Sequence, residues 1–371
     1  MVEWKKLGEV CKTVSPPKKL EKELYGNVGL YPIIDQGQKE IVGFTDDLTA
    51  LLPYGEYVLF GDHTRFVKYY RGKFAQGADG LKILKANESI IPRYFFYVFD
   101  NTEVPSRGYS RHWSIAKQLL IPIPSLSEQQ RIVSILDTFT SSISNLKQQI
   151  EERRKQYEYE RDLLLDLEGK EGVEMKKLEE VFDTRNGYTP STKNPDFWEE
   201  GTIPWFKMED IRDNGRVLGD SNLHITPKAI KGKGLFKANS IILATSATIG
   251  EHALITVEHL SNQRFTNFYP KKKFEGLINM KFVYYYMYLI DEWCKQHINQ
   301  GGFASVDMNG LFSMDFPLLS LQAQSRIVSI LDTFEQSISN LEEQLAMREK
   351  QYEYYRNQLL TFEGEEERGK T

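Results

Sequence analysis

The side chains of this sequence best suited to recognising a polar ligand stand beside glycines in short segments. Ile34-Asp35-Gln36-Gly37-Gln38, Gly61-Asp62-His63-Thr64-Arg65 and Gln76-Gly77-Ala78-Asp79-Gly80 form one group. Ser106-Arg107-Gly108-Tyr109-Ser110-Arg111-His112-Trp113 joins it, two arginines alternating with aromatic and hydroxyl groups. A second group holds Asn186-Gly187-Tyr188-Thr189-Pro190, Lys207, Thr245-Ser246-Ala247-Thr248-Ile249-Gly250, Asn262-Gln263-Arg264 and Gln300-Gly301-Gly302. Lys, Arg and loop amides suit phosphates, whereas Gln, Asn, Arg, Ser and Thr suit base edges in a major groove. Plain hairpin turns use the same residue types and are the commoner explanation for any one glycine segment, whereas 106–113 alone reads equally as a contact loop or a surface loop.

Catalytic patterns fail on their own physical requirements. Gly364-Glu365-Glu366-Glu367-Arg368-Gly369-Lys370-Thr371 matches a phosphate loop letter for letter. Such a loop needs a strand before it and a helix N-terminus after it, and three glutamates inside it would repel phosphate. An acidic, disordered tail over 365–371 is the better reading. Asn194-Pro195-Asp196-Phe197 has Asp where an amino-methyltransferase signature has its second proline, and no nucleotide-binding glycine loop precedes it. Pro195-Asp196 is not followed within reach by the Asp/Glu-x-Lys of a nuclease motif. His252 and His259 are seven apart with no third ligand nearby, and Cys11 and Cys294 make neither a disulfide framework nor a zinc cluster. His63 beside Asp62 is an acid-base pair in type, but no nucleophile accompanies it.

The elements that must position these loops announce themselves by repetition. Residues 131–169 recur 195 positions later as 326–364, with 26 of 39 positions identical. Ile132, Leu136, Phe139, Ile143, Leu146, Ile150, Arg153 and Tyr157 follow each other in alternating steps of four and three. Ile327, Leu331, Phe334, Ile338, Leu341, Leu345, Arg348 and Tyr352 repeat that seam. Only this stripe is apolar, which predicts two long helices that zip against each other. The alternative is that each is a surface helix of its own domain, which ordinarily shows a wider apolar face. Pro124 and a capping box of Ser125 with Glu128 open the first helix, and Gly169 and Gly364 are the expected stops.

Domain starts repeat as well, Trp4-Lys5-Lys6-Leu7-Gly8-Glu9-Val10 answering Met175-Lys176-Lys177-Leu178-Glu179-Glu180-Val181. The offset there is 171, so the second globular segment is about 24 residues longer than the first. The expected plan is domain 1–124, helix 125–170, domain 171–319, helix 320–364. Tyr57-Val58-Leu59-Phe60, Ile203-Pro204-Trp205-Phe206 and Ile241-Ile242-Leu243-Ala244 read as strands, and 282–290 as a helix whose aromatics pack a core. Net charge is −5, yet residues 1–124 carry 17 basic against 14 acidic groups and 173–319 carry 17 against 18. Acidity resides in the helices and tail, which permits basic surfaces on the domains. Mean hydropathy is −0.47, no run suits a membrane span, and no apolar signal core follows Met1, so a cytoplasmic protein is expected.

Variable domain, Pro-Ile-Pro-Ser-Leu-Ser-Glu-Gln-Gln-Arg-Ile-Val at 122–133, long helix, then the unit again: this plan resembles the specificity subunit of type I restriction-modification systems. Phe60-Gly61-Asp62-His63-Thr64-Arg65, Ile203-Pro204-Trp205-Phe206-Lys207 and Ser246-Ala247-Thr248-Ile249-Gly250 add to the likeness, which spans essentially the whole chain. The second copy has Ala323-Gln324-Ser325 in place of Glu128-Gln129-Gln130, which leaves its helix-start contacts open.

The resemblance implies an α+β fold of two mixed α/β target recognition domains and two conserved helices forming an antiparallel coiled coil, related by a pseudo-two-fold axis. It implies a non-catalytic chain that directs adenine-N6 methylation and ATP-dependent cleavage by its partners. Those partners would be double-stranded DNA, two methyltransferase subunits and restriction-translocase subunits, which alone would use S-adenosylmethionine, ATP and Mg. Loop position and chemistry nominate Gln36, Gln38, His63, Arg65, Arg107, Tyr109 and Arg111 in the first domain. Tyr188, Lys207, Thr245, Ser246, Thr248, Arg264 and Gln300 are nominated in the second. A coiled-coil scaffold without sequence-specific DNA binding is the competing reading.

Overall fold

The computed structural model describes residues 2–78, 80–108, 110–299 and 304–362. The chain divides into two compact units, one of residues 1–149 with 341–371 and one of 150–340, so each long helix contributes a part to both.

In the first unit the elements in chain order are β1 (Glu3–Lys6), β2 (Cys11–Val14), β3 (Tyr31–Ile34), β4 (Gly43–Thr45), β5 (Leu51–Gly61), β6 (Val67–Gln76), β7 (Leu81–Ala86), α1 (Pro92–Asp100), α2 (Trp113–Ala116), β8 (Leu120–Ile123) and the start of α3 (Leu126–Leu165). Six strands form one sheet in the order β2-β7-β5-β6-β3-β4, antiparallel except for β3 against β6. The run Tyr57–Phe60 is buried because β5 lies between β7 and β6. Pro92 sits at the start of α1, where a missing N–H costs nothing, and its Tyr94, Phe95, Val98 and Phe99 pack against Phe60 and Leu84. β1 pairs with β8, closing the domain where the long helix leaves it.

The second unit continues through β9 (Glu174–Lys177), α4 (Leu178–Val181), β10 (Phe182–Asn186), β11 (Ile203–Phe206), α5 (Met208–Asn214), β12 (Val217–Leu218), β13 (His224–Ile225), β14 (Ser240–Ala244), β15 (His252–Ile255), β16 (Leu260–Ser261), β17 (Phe265–Pro270), α6 (Met280–Gln296), β18 (Ile298–Asn299), β19 (Ser305–Val306), α7 (Met308–Phe312), β20 (Asp315–Leu318) and α8 (Leu321–Leu360). Its main sheet, β10-β17-β14-β15-β12, repeats the first unit's β2-β7-β5-β6-β3, including the one parallel pair at the same place. β9 with β20 repeats β1 with β8. The extra length goes into β11, β13 and β16, a small sheet over a separate cluster of Trp205, Ile225, Phe236 and Leu260. The aromatics of α6 are core packing as expected, Phe282, Tyr284 and Tyr285 among them.

Helix pairing is visible inside each unit. Phe139 stacks on Tyr355 at 5.3 Å and Lys147 bonds Glu349 at 2.9 Å, so the partner number falls as the α3 number rises: the helices run antiparallel. In the second unit Tyr157 meets Phe334. Every seam residue is buried or half-buried. Arg153 lies over the Phe334 ring and Arg348 over the Phe139 ring, 5.9 and 5.6 Å to the centroids, so the seam arginines are cation–π contacts at equivalent positions. The apolar stripe also does more than pair helices, since Ile132 and Leu136 sit in the core of the first domain and Leu331 in that of the second.

Two expectations at the helix ends fail. Ser125 Oγ accepts the Glu128 N–H at 3.3 Å, but the Glu128 carboxylate turns to Arg131 at 2.6 Å instead of returning to the cap, because a guanidinium one turn on offers a charged partner. α3 ends at Leu165, ahead of Gly169, because Leu165 and Leu167 are drawn into the second unit's core. Gly364 and the acidic tail lie outside the described residues.

Candidate nucleic-acid interface

The β5–β6 turn is the centre of the first candidate surface, and its backbone is held from three sides. Asp62 N donates to Gly80 O at 2.6 Å, His112 N donates to Asp62 O at 2.8 Å, and His63 N donates to Gln36 Oε1 at 3.2 Å. Thr64 Oγ1 donates to Gln36 O. Gly80, at φ +96°, must be glycine, since a Cβ there would fall 2.5 Å from the Gln36 amide. The turn therefore gathers loop 35–39, loop 77–80 and the stretch before α2. Lys68 Nζ donates to the carbonyls of Asp35 and Lys39, and burial pushes its pKa down. It is a half-buried strut for the Gln38 loop.

Within that frame the nominated residues divide. Gln38, Arg65, Arg107 and Arg111 are exposed, whereas His63 and Gln36 are half-buried. Gln36 spends its side-chain oxygen on the turn and is a positioning group. Arg65 reaches back to Val104 O at 3.0 Å and stands at φ 65°, a left-handed conformation costly for a residue with a Cβ. Tyr109 lies outside the described residues. Asp62 does not serve His63 as an acid-base partner: its buried carboxylate accepts Trp113 N–H at 2.7 Å and stands 3.5 Å from Lys82 Nζ.

The second unit builds the corresponding surface at the β14–β15 turn. Thr245 N donates to Arg264 O and Val306 N donates to Thr245 O, 3.0 and 2.9 Å, while Ser246 bridges Ser305. Ala247 occupies φ 66° in this turn, as Arg65 does in the other. Arg264 is exposed beside it, and Thr245, Ser246 and Thr248 are half-buried. Thr245 Oγ1 is 3.0 Å from Thr266 Oγ1, below the loop surface. Lys207 opens α5 with its N–H on Asp210 at 2.7 Å. Tyr188 is half-buried, its N–H donating to Ser261 O at 2.8 Å and its hydroxyl donating to Ala229 O and accepting from Lys231 N, a tie to the small sheet. Gln300 lies outside the described residues. His252 and His259 are core residues, the first on Asp291 at 2.7 Å, the second with its pKa held down to about 4 by burial. Among the described residues no cluster of groups could hold a metal.

Sequence reading missed the groups that fix each domain on its helix. Gln129 Oε1 accepts Ile91 N–H at 2.8 Å, and its Nε2 donates to Ser89 O and Pro124 O. Gln324 does the same with Asn279 N–H, Leu277 O and Leu319 O. Of the helix-start contacts left open by the loss of Glu128 and Gln130, those of the retained glutamine are thus equivalent in both copies, whereas the Glu128–Arg131 bond has no counterpart at Ala323. A second pair follows: Tyr97 hydroxyl and Arg93 on Asp137, Tyr285 hydroxyl and Lys281 on Asp332. Identity at Gln129/Gln324 and Asp137/Asp332 inside the repeat was the available signal.

A chain with two such equivalent loop surfaces, each bolted to one of two repeated helices, can be set against known proteins. The family model described as type I restriction modification DNA specificity domain matches residues 1–153 and again 170–347. The chain belongs to this family. The Escherichia coli type I restriction enzyme EcoR124I/EcoR124II specificity subunit is 32% identical over 97% of this chain and 94% of its own length. The E. coli EcoprrI specificity subunit is 48% identical over 209 residues, 53% of this chain and 52% of that one. The S subunit crystal structure from M. genitalium superposes with a TM-score of 0.61 at 16% identity, covering 98% of this chain and 96% of that one. HsdS from Thermoanaerobacter tengcongensis gives 0.51 over 97% and 96%. These structures share the fold, and membership of the family assigns the chain the DNA specificity role of a type I system. Among the described residues no helix is long and apolar enough to cross a membrane.

Proposed function

We propose that the two turn surfaces read the two halves of one interrupted DNA target in the major groove, and that the helices set the spacing and dock two methyltransferase subunits. The observation that carries this reading is the pairing of equal frames with unequal tips. Both turns join equivalent strands of their sheets and each contains a left-handed residue other than glycine, yet one surface presents Arg65, Arg107, Arg111 and Gln38 and the other Ala247, Ser246, Thr248 and Arg264. Such loops deliver arginine and amide groups to base edges and phosphates. Tyr159 and Tyr354 support the docking reading: they are exposed at the same position of the helix repeat, one for each of two identical partners. The chain itself is non-catalytic in this reading. Adenine-N6 methylation and ATP-dependent cleavage, with S-adenosylmethionine, ATP and Mg, belong to the partner subunits.

The test is methylation-site sequencing of a host expressing the system with altered chains. Arg107→Ala with Arg111→Ala should relax or abolish one half of the methylated motif and leave the other intact, and Arg264→Ala should do the reverse. Unchanged motifs in both would remove these residues from the interface, and loss of both halves together would point to a scaffold role instead.

A further inference from the structure

The two helices are so alike that their seam cannot tell one from the other. Seven of its eight positions are identical between copies, and the eighth exchanges Ile150 for Leu345. Two copies of α3, or two of α8, would fill the same holes as α3 with α8. Discrimination must come from beside the seam.

There the structure shows Lys147 Nζ 2.9 Å from the Glu349 carboxylate. The repeat shift of 195 carries Lys147 to Glu342 and Glu349 to Arg154, so both charges change sign between copies. In the same antiparallel register two copies of α3 would set Lys147 of one against Arg154 of the other, twice. Two copies of α8 would set Glu342 against Glu349, also twice. The neighbouring Phe139–Tyr355 stack points the same way, since position 160 of α3, the equivalent of Tyr355, is a glutamate. We infer that this off-seam charge pattern selects the unlike helix as partner and opposes pairing of either half with its own kind. The chain is thereby kept to one recognition domain of each sort.

Each exposed contact of this type shifts an equilibrium by a factor of about two. Converting two unlike pairs into one of each like kind removes two attractions and adds four repulsions, which lowers that exchange equilibrium roughly sixtyfold and each like pair, relative to the unlike one, by its square root, roughly eightfold. The test begins from the full chain, with a protease site placed in the exposed segment 168–172, where Gly169 and Gly172 have open space around them. The folded protein is cut there, incubated until isotopically labelled halves have exchanged completely, and weighed by native mass spectrometry. The same is done for Lys147→Glu with Glu349→Lys, which keeps the observed ion pair with its signs reversed but makes both like pairings attractive. The cut parent should show unlike pairs as about nine in ten of all pairs, and the reversed variant should show like pairs enriched about sixfold. Lys147→Gln with Glu349→Gln should fall between. The same distribution in parent and reversed variant would overturn the inference, as would like pairs at random frequency in the parent.

Discussion

Replacing Gln129 by leucine removes the whole latch between α3 and the first domain without changing side-chain volume much. The amide makes three bonds of 2.8, 3.1 and 2.9 Å, and the residue is fully buried. Leucine leaves the Ile91 N–H and two carbonyls without this partner. An orphaned buried group costs about 1–3 kcal/mol, and carbonyls, with a second lone pair, stand at the low end, so a total near 3 kcal/mol is expected. For a unit of this size that lowers the melting temperature by about 6–12 °C. Calorimetry reads the total, and hydrogen exchange at the Ile91 amide reads the cause, which should accelerate more than its neighbours. Gln324→Leu should cost the same within about 1 kcal/mol and act at Asn279, because its bonds are 2.7, 2.9 and 2.8 Å. A shift below about 2 °C with Ile91 exchange unaltered would refute the latch.

The seam arginines and one buried histidine give further tests. Arg153→Leu with Arg348→Leu removes two cation–π contacts of about 0.5–1 kcal/mol each but adds apolar seam, so stability should change little while register loosens. Disulfide formation by Lys147→Cys with Glu349→Cys should then become less selective over neighbouring positions, and undiminished selectivity would leave the arginines without a register role. His259 is held neutral by burial, with its pKa down at about 4, while an unfolded histidine takes its proton near about 6.5. Its contribution is complete above the unfolded value and is lost as pH falls from about 6.5 towards 4, up to about 3 kcal/mol. Unfolding titrations should show this slope in the parent and a flatter one in His259→Asn, and parallel slopes would deny it.

The frame was legible because it is repetitive. A heptad seam carries its own period, and Tyr57–Phe60 and Ile241–Ala244 are apolar runs bounded by turn residues, which is how a doubly covered strand reads. The small sheet around Trp205 and Phe236 was legible only in part: Ile203–Phe206 reads as a strand, but its partners β13 and β16, of two residues each, are shorter than any period can declare. The ties of the Tyr188 hydroxyl were hidden for a related reason, since only tertiary structure brings Ala229 and Lys231 to it. Lys68 escaped notice, and the service of Asp62 to the Trp113 amide with it, because a charged residue that bonds backbone groups across 30 to 50 positions leaves no local mark of that role. Glu128 shows the limit of a local rule, since the capping box lost to an arginine three residues on.

Gln129, Gln324, Asp137 and Asp332 show why the duplicated part varies so little. Each makes the same contacts in its own copy, and each contact needs a group on the helix and a group on the domain. A change on one side orphans the other, at a cost of one to several kcal/mol in a protein whose whole stability is of order 10 kcal/mol. The turn tips are under no such constraint. Arg65 and Ala247 are left-handed residues in equivalent turns with unrelated side chains, while the backbone bonds to Gly80, His112, Arg264 and Val306 are made by Asp62 and Thr245 at the base of each turn and not by the tip side chains. A tip carried on such a base can exchange its side chain without breaking these backbone bonds. The same physics that locks the helices to the domains therefore leaves the exposed tips free to differ, and two reading surfaces of different chemistry can stand on one repeated frame.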